Sequence, residues 1–243
     1  MSDLITYDIN GAVTTITMDD GKVNALSPAM LAGINEALDA AEKERATVVL
    51  AGRDGRFSGG FDLTILRAGG DEAIGMLRGG FELSERLLSF PTPVVIACTG
   101  HAIAMGSFLL ASADYRIGAA GDFKIAANEV AIGLTLPLAA IEILRQRLTP
   151  AAFSRATLLA ETFTPDDAVA AGFLDHVAPP ADVLAIAQTV AAGMAGGLHM
   201  DAHAASKLRV RAAALEAIRA GIDAEFPDGE GPATAIIQRG RSG

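Results

Sequence analysis

The chain has 243 residues, of which 51% are apolar and 20% charged, so a sizeable packed core is expected and disorder is not. Its 19 basic and 29 acidic residues give a formal net charge of −10. This balance argues against nucleic acid or an anionic membrane as a partner, because both are bound through clustered Lys and Arg.

The first fifty residues predict a β-hairpin, a helix and a buried strand. Two β-rich runs, at 4–10 and 12–18, are separated by a single residue, a glycine. Ser27 is the expected N-cap of a helix over 28–44, in which apolar side chains recur at helical spacing. The run ATVVLA at 46–51 is short and wholly apolar, which is typical of a strand buried on both faces.

Turns, helices and strands then alternate, which favours an α/β layer with crossover connections. The predicted elements are a Gly-rich turn at 52–63, a helix at 71–90, a strand at 93–98, a turn at 99–106, a short helix at 106–113 and a strand at 115–119. Further helices are predicted at 138–148, 150–160, 165–171, 180–195 and 201–224, with a break at 177–180 and at most a short helix in the tail. The expected picture is one α/β core with a helical C-terminal third.

Two turns that follow apolar strands are candidate functional sites. In the turn GRFSGGFDL at 55–63, Gly59 and Gly60 permit close approach of a ligand to the backbone. The turn GHAIAMG at 100–106 opens a helix, whose first amides have no intrahelical acceptor and lie at the positive end of the helix dipole. Each turn alone fits an ordinary connection. Together, beyond the ends of parallel strands, they predict two backbone donors for a developing oxyanion.

Four ordered motifs in this sequence resemble those of the crotonase family, also called the enoyl-CoA hydratase/isomerase superfamily. They are FSGGFDL (57–63), PTPVVIACTGHAIAMGSFLLASADYRIGA (91–119), FKIAANEVAIGLTLP (123–137) and FTPDDAVAAGFLDHV (163–177). The tail segment GEGPATAIIQR also resembles the family's C-terminal motif. The resemblance covers nearly the whole chain. It implies an α/β crotonase-like core of repeated ββα units over 1–195 and a helical C-terminal region at 196–243 for trimerisation and part of the coenzyme A (CoA) pocket.

The resemblance implies an acyl-CoA thioester as substrate, with no separate cofactor because CoA belongs to the substrate, and no metal. The two oxyanion donors of the family correspond to the backbone N–H groups of Phe61 and Met105, although the second position is usually glycine. Asp62 is expected to fix its turn rather than to react. The positions implied for substrate and CoA binding are Lys22, Asn24, Ala25, Leu26, Gly60, Asp62, Leu63, Gly106 and Phe108.

One carboxylate is available for the chemistry. Hydratases of the family use two glutamates, and the first of these positions is Phe108 here, which cannot transfer a proton. The second is Glu129, where Asn128 replaces the usual proline and two extra residues separate the glutamate from Phe123. This variant resembles the mitochondrial-type Δ3,Δ2-enoyl-CoA isomerases, which also lack the first glutamate. Glu129 lies between apolar segments, where burial would raise its pKa and suit a base.

The leading interpretation is therefore a Δ3,Δ2-enoyl-CoA isomerase with Glu129 as the sole acid and base. The alternatives are an enoyl-CoA hydratase-like lyase of fatty-acid metabolism, a CoA-ester-binding protein without catalysis, and an unrelated doubly wound α/β domain. The resemblance also implies a homotrimer or a dimer of trimers.

The remaining polar residues have mostly structural interpretations. Asp114 is expected to anchor backbone at a strand start, and His101 is either a pocket residue or a structural histidine. Glu142 is a helix charge near an arginine. Lys207 and Arg209 are expected either to contact CoA phosphates or to lie on a solvated helix face.

Nothing in the sequence resembles a secretory signal, and no apolar run approaches the ~20 residues of a membrane helix. A single cysteine, Cys98, excludes an internal disulfide framework, and its apolar neighbours predict a buried thiol. The four histidines show no metal-ligand spacing. These features predict a cytoplasmic protein.

Overall fold

A six-stranded sheet forms the centre of the computed structural model, which describes residues 4–227. The strands in this range are β1 (Ile5–Asn10), β2 (Val13–Met18), β3 (Ala25–Leu26), β4 (Thr47–Ala51), β5 (Gly55–Ser58), β6 (Gly60–Phe61), β7 (Val94–Cys98), β8 (Gly100–Ile103), β9 (Tyr115–Ala119), β10 (Ile125–Ala126) and β11 (His176–Ala178). The α-helices are α1 (Pro28–Lys43), α2 (Leu63–Ala68), α3 (Gly70–Ser89), α4 (Met105–Ala111), α5 (Leu138–Arg145), α6 (Pro150–Leu159), α7 (Pro165–Ala171), α8 (Val183–Gly197) and α9 (Met200–Glu225).

The central sheet has the strand order β1-β2-β4-β7-β9-β11. Strands β1 and β2 form the predicted antiparallel hairpin, and every other neighbouring pair in this sheet is parallel. The parallel strands therefore end at one common edge, and the segments that follow β4 and β7 leave the sheet side by side.

Both faces of the central sheet are covered, as the wholly apolar runs predicted. Along β4, Val48 and Leu50 join the larger core with α1 and α3, while Val49 and Ala51 join a second core under α8. This alternation is the period of two that a strand imposes on its side chains. Cys98 is buried in the larger core, which confirms the prediction for its thiol.

The two predicted turns are not free of regular structure, and this part of the prediction was wrong. The segment 52–63 contains β5 and β6, and the segment 99–106 contains β8. Strand β8 lies between β10 and β5 in a small parallel sheet, and β6 pairs with β3. These strands are two to four residues long, so their stability comes from distant partners that a local pattern cannot reveal. Helix α2 was also missed.

The C-terminal third is helical, as predicted, with β11 occupying the predicted break. Helix α9 packs against α3 and α5. The predicted boundary at 195/196 falls inside α8 and stays a prediction. The tail motif at 229–239 lies outside the described residues.

Helix α9 is also fixed to the central sheet by a buried ion pair. The Lys207 Nζ lies 2.6 Å from an Asp114 carboxylate oxygen that accepts a hydrogen bond from the Val94 N–H at 2.8 Å. The predicted backbone anchor at Asp114 is thus confirmed. Lys207 is only 6% exposed, so the expectation of a solvated side chain or a phosphate contact was wrong for it. Arg209 is exposed, which fits the solvated helix face, one of its two expected alternatives, and a phosphate contact there stays a prediction. The partner of Lys207 lies far away in sequence, and periodicity alone could not identify it.

Within residues 4–227, no single helix is long and apolar enough to cross a membrane. One pair of consecutive segments reaches the length and apolar composition of a membrane span only when the two are taken together, across a bend of 106°: Pro180–Gly197 and Met200–Glu225.

Candidate active site

The two candidate turns meet at the carboxyl edge of the sheets. Gly60 has a φ of +92°, and a Cβ at this position would lie 3.0 Å from the Ile103 carbonyl oxygen and 3.4 Å from the Met105 backbone nitrogen. Glycine is therefore required at Gly60 both by its dihedral angle and by the close approach of the second turn. The backbone at Phe61 and the backbone at Met105, from segments more than forty residues apart, are brought together here.

Asn24 holds the first turn in place. Its side-chain amide donates hydrogen bonds to the carbonyl oxygens of Met18 (3.0 Å), Phe57 (3.1 Å) and Arg56 (3.3 Å), and its side-chain oxygen accepts one from the Asp20 N–H. Since the Asn24 side chain is fully buried and engaged in these bonds, it positions the backbone of this segment.

The other positions implied for CoA binding lie around this scaffold. Ala25 and Leu26 form β3, which runs parallel to the strand that contains Gly60 and Phe61, and Lys22 is exposed in the preceding turn. A CoA contact at these positions stays a prediction.

The second turn leads directly into helix α4. Ala104 has φ 50° and ψ −123°, a strained combination for a residue with a side chain. Met105 is the first residue of the helix, so its N–H has no intrahelical acceptor. Gly106 packs directly on the first turn, because a Cβ there would lie 2.5 Å from the Ser58 carbonyl oxygen. The tight packing brings the Met105 backbone nitrogen close to Gly60 of the first turn, and its role as an oxyanion donor stays a prediction.

Beside these turns lies a cavity of about 240 Å³ with a mostly apolar wall. The wall includes Leu63, Leu66, Leu77, Phe81, Phe108 and Leu134. Phe81 is stacked between Phe108 and Phe226, with ring centroids 6.1 and 5.6 Å away, and meets Phe61 edge-on. A cavity of this composition suits a hydrocarbon chain.

Glu129 is an acid in this apolar surrounding. It is 8% exposed, and its Oε2 is buried with no hydrogen-bond partner among the described residues. Burial raises the pKa of Glu129 to about 7, against a smaller opposing effect of its own backbone N–H. The expectation of a buried glutamate with a raised pKa is confirmed, and a group with this pKa can both take and return a proton near neutral pH.

The loop after Glu129 fixes the backbone of this residue. The Glu129 carbonyl oxygen accepts hydrogen bonds from the N–H groups of Ile132 (3.1 Å) and Leu134 (2.9 Å). A short 3₁₀ turn over Val130–Ile132 and a left-handed Gly133 close the loop. Asn128 also lines the cavity, and its Oδ1 is a second buried acceptor with no partner in the described part of the chain.

Other titratable groups considered from the sequence have structural roles. Asp62 caps α2 by accepting from the Thr64 N–H at 2.7 Å, which confirms its predicted role. His101 accepts from the Lys124 N–H at 3.0 Å and packs edge-on against Phe123. Glu142 pairs with an arginine on α5. Of the described residues that line the cavity, Glu129 is the sole one with a titratable side chain.

Sequence reasoning missed much of the cavity wall. Leu66 lies on α2, which was not predicted, and Leu77 and Phe81 lie on the face of α3 that turns toward the cavity. Both residues fall within the helix predicted over 71–90, in which no position was singled out. No local signal distinguishes a side chain that lines a cavity from one that fills the core.

A family model described as enoyl-CoA hydratase/isomerase matches residues 8–226. Among solved structures, the chain is similar to an enoyl-CoA hydratase from Mycobacterium marinum, with 56% identity, a TM-score of 0.88, and coverage of 92% of this chain and 99% of that one. It is also similar to an enoyl-CoA isomerase from Mycobacterium tuberculosis, with 55% identity, a TM-score of 0.88, and coverage of 92% and 97%.

A more distant similarity is to human mitochondrial Δ3-Δ2-enoyl-CoA isomerase, with 27% identity, a TM-score of 0.84, and coverage of 91% of this chain and 88% of that one. Alignments with curated relatives span from 27% to 77% of the lengths of those proteins. The names of the similar proteins include hydratases and isomerases, so they leave the choice between the two reactions open.

Proposed function

Since this chain belongs to the enoyl-CoA hydratase/isomerase family, we propose that it is an acyl-CoA enzyme that converts 3-enoyl-CoA to 2-enoyl-CoA. Glu129 would be its one proton carrier, and the backbone N–H groups of Phe61 and Met105 its oxyanion donors. The thioester of CoA is part of the substrate in this proposal, and no further cofactor is required.

The observation that carries the proposal is the single titratable side chain, Glu129, among the described residues of an otherwise apolar cavity wall. Net hydration needs one group to activate water and another to control the proton. A 1,3-proton transfer needs one base with a pKa near neutrality, because the same group removes and returns the proton. Phe108, at the position of the first hydratase glutamate, belongs to the aromatic stack of the wall.

The proposed reaction has two steps. The Glu129 carboxylate removes a proton from C2, the C2–H electron pair forms the C1=C2 bond, and negative charge moves onto the thioester oxygen. The resulting dienolate then collapses: the C1=O bond forms again, the double bond moves to C2=C3, and C4 takes the proton from Glu129. An oxyanion donor typically contributes about 10²–10³ in rate and a general base roughly 10²–10⁴.

A hydratase-like reaction is the second candidate. Asn128 supports it, because this residue lines the cavity beside Glu129 and its Oδ1, which has no partner within residues 4–227, could orient a water molecule. In this alternative the amide would replace the missing carboxylate only as a hydrogen-bonding group. A CoA-ester-binding protein without catalysis is the third candidate.

The proposal extends to assembly and location. We propose a homotrimer or a dimer of trimers, since exposed apolar side chains, Leu208 on α9 and Leu158 and Leu159 on α6, would be covered by a partner. A cytoplasmic location is proposed because the one cysteine is a buried thiol.

The decisive experiment compares two substrates and two variants. The purified protein is given a 3-enoyl-CoA and, separately, a 2-enoyl-CoA in water, and the products are followed by chromatography. Isomerisation of the first substrate is expected, with a loss of roughly 10²–10⁴-fold in kcat for Glu129→Gln. The control is Glu142→Gln, which removes a glutamate from the ion pair on α5 and should leave the rate unchanged.

Other outcomes would contradict the assignment. Hydration of the 2-enoyl ester at a comparable rate would favour the second candidate, and a Glu129→Gln variant with full isomerase activity would remove Glu129 from the mechanism. Binding of both esters with no turnover would favour the third candidate.

A further inference from the structure

A second cavity, of about 210 Å³, lies between β9, the α5–α6 connection and α9. Its polar wall includes Asp114, Arg116, Gln146, Arg147 and Arg211. None of these described residues lines the candidate active site.

This cavity lies at the opposite edge of the central sheet from the candidate active site. Asp114 directly precedes β9, and its carboxylate accepts from the N–H of Val94, the first residue of β7. Phe61 and Met105 lie instead beyond the carboxyl ends of β4 and β7. A five-residue strand spans about 17 Å at roughly 3.3 Å per residue, so a ligand here would not be the reacting thioester.

Positive charge is in excess around the second cavity. Arg116 and Arg147 both pair with Asp175, while Lys207 and Arg211 both pair with Asp114. Four cations thus face two carboxylates. The Arg116 side chain is only 2% exposed, and burial, followed by the repulsion of Arg147, lowers its pKa to about 10. A further anion would relieve this repulsion.

Arg147 has unused hydrogen-bonding capacity at this place. Its Nη2 donates to Asp175 at 2.6 Å, whereas its Nε is buried and has no partner among residues 4–227. Burying an N–H group without an acceptor costs the free energy of removing that group from water. Such donors are therefore normally satisfied by protein, water or a bound ion. By contrast, the donors of Arg116 point at Asp175 and at the Ala113 carbonyl oxygen.

We infer that the second cavity is a binding site for a small phosphate-type oxyanion, with Arg147 as its principal contact. Arg211 is a neighbouring charge whose guanidinium already donates to the Leu88 and Ala113 carbonyl oxygens and pairs with Asp114. Guanidinium groups present paired donors that match the oxygens of such an ion. Arg116 and Lys207 add positive charge nearby, because they share Asp175 and Asp114 with Arg147 and Arg211. Because this site is remote from Glu129, it does not depend on the proposed isomerase activity.

The test measures thermal unfolding of the full chain in inorganic phosphate against chloride at matched ionic strength. Binding should raise the Tm of the parent by roughly 2–4 °C and saturate with phosphate concentration. The rise should disappear in Arg147→Gln. It should persist in Arg209→Gln, which removes the same charge from an exposed position on α9.

A second variant keeps the test decisive if Arg147→Gln does not fold. Ala214 lines the cavity from α9, and Ala214→Glu would place a tethered carboxylate there. This variant should have a higher Tm than the parent in chloride and no response to phosphate. The enoyl-CoA reaction rate, measured in parallel, should be unchanged in it.

Three results would overturn the inference. The first is a parent protein that responds equally to phosphate and chloride. The second is the same phosphate response in all variants, which would reflect general exclusion of phosphate from protein surface. The third is a change in oligomeric mass on Arg147→Gln without any phosphate effect, which would assign the cavity to a carboxylate of a second copy of the chain.

Discussion

Two requirements on the Glu129 side chain, burial in an apolar wall and ionisation as the proposed base, oppose each other. Burial favours its neutral form and raises its pKa to about 7, yet a base must be ionised to act. The apolar wall that shifts the pKa is also the surface that would hold an acyl chain. The same residues therefore set both the basicity of the carboxylate and the character of the ligand.

The proposed mechanism predicts a pH dependence that is set by Glu129. Because the base is active when deprotonated, kcat/KM for 3-enoyl-CoA should fall about tenfold per pH unit below about pH 7 and be level above it. Initial rates between pH 5.5 and 8.5, with unfolding checked at each pH, measure this profile. A level profile down to pH 5.5 would mean that the pKa of Glu129 is not raised in solution, or that another group is the base.

At the scale of elements, the candidate oxyanion site depends on how closely α4 approaches the strand that contains Ser58. Gly106→Ala would place a Cβ 2.5 Å from the Ser58 carbonyl oxygen and force α4 away from the first turn. One amide would then be misplaced, and we expect kcat to fall by about 10²–10³.

A glycine elsewhere provides the control for this substitution. Gly75 lies on α3, and a Cβ there would meet nothing within 4 Å. Gly75→Ala should keep full activity and stabilise the helix slightly. Equal activity of both variants would show that the position of α4 does not control the rate. Circular dichroism of each variant distinguishes misplacement of α4 from unfolding.

Long elements could be predicted from sequence, and short ones could not. Local sequence patterns that extend over five residues or more were enough to predict the hairpin, α1 with its Ser27 cap, and β9. Strands β5, β6 and β8 are glycine-rich and short, and they exist because each finds a partner across the molecule. The proposed donors lie in or beside these short strands, so the sequence could indicate their positions but not the contact between Gly60 and the second turn.

Glu129 was found through a family motif, whereas the cavity wall was not. Its surroundings come from α2, α3, α4 and the loop at 128–137, and only packing brings them together. The prediction for Lys207 was wrong for the same reason, because the carboxylate that neutralises its charge, that of Asp114, belongs to a different element. Sequence-based interpretation is weakest where function depends on contacts between elements.

At the scale of the whole molecule, the ion pairs of Asp114 join the C-terminal helix to the sheet. Asp114→Asn would leave the buried Lys207 and the neighbouring Arg211 without the carboxylate that both pair with, and we expect a loss of about 3–5 kcal/mol in the free energy of unfolding. Urea denaturation measures this loss. Asp201→Asn is the matched control, since it breaks an exposed pair between α9 and Arg45 and should change stability little. Similar stability of both variants would mean that α9 is held by its apolar contacts alone.

The buried carboxyl group of Glu129, whose Oε2 has no partner among the described residues, also links proton binding to folding of the entire chain. A carboxyl group with a folded pKa of about 7 and an ordinary value of 4.5 holds its proton longer in the folded state. Its contribution to stability is therefore full below about pH 4.5 and is lost as the pH rises through 7. Between pH 5 and pH 8 the parent should lose roughly 2–3 kcal/mol relative to Glu129→Gln, which cannot ionise. Urea unfolding of both proteins at the two pH values measures the difference, and an unchanged difference would contradict it. Under the proposed mechanism, stability at neutral pH is thus given up in order to keep a reactive base.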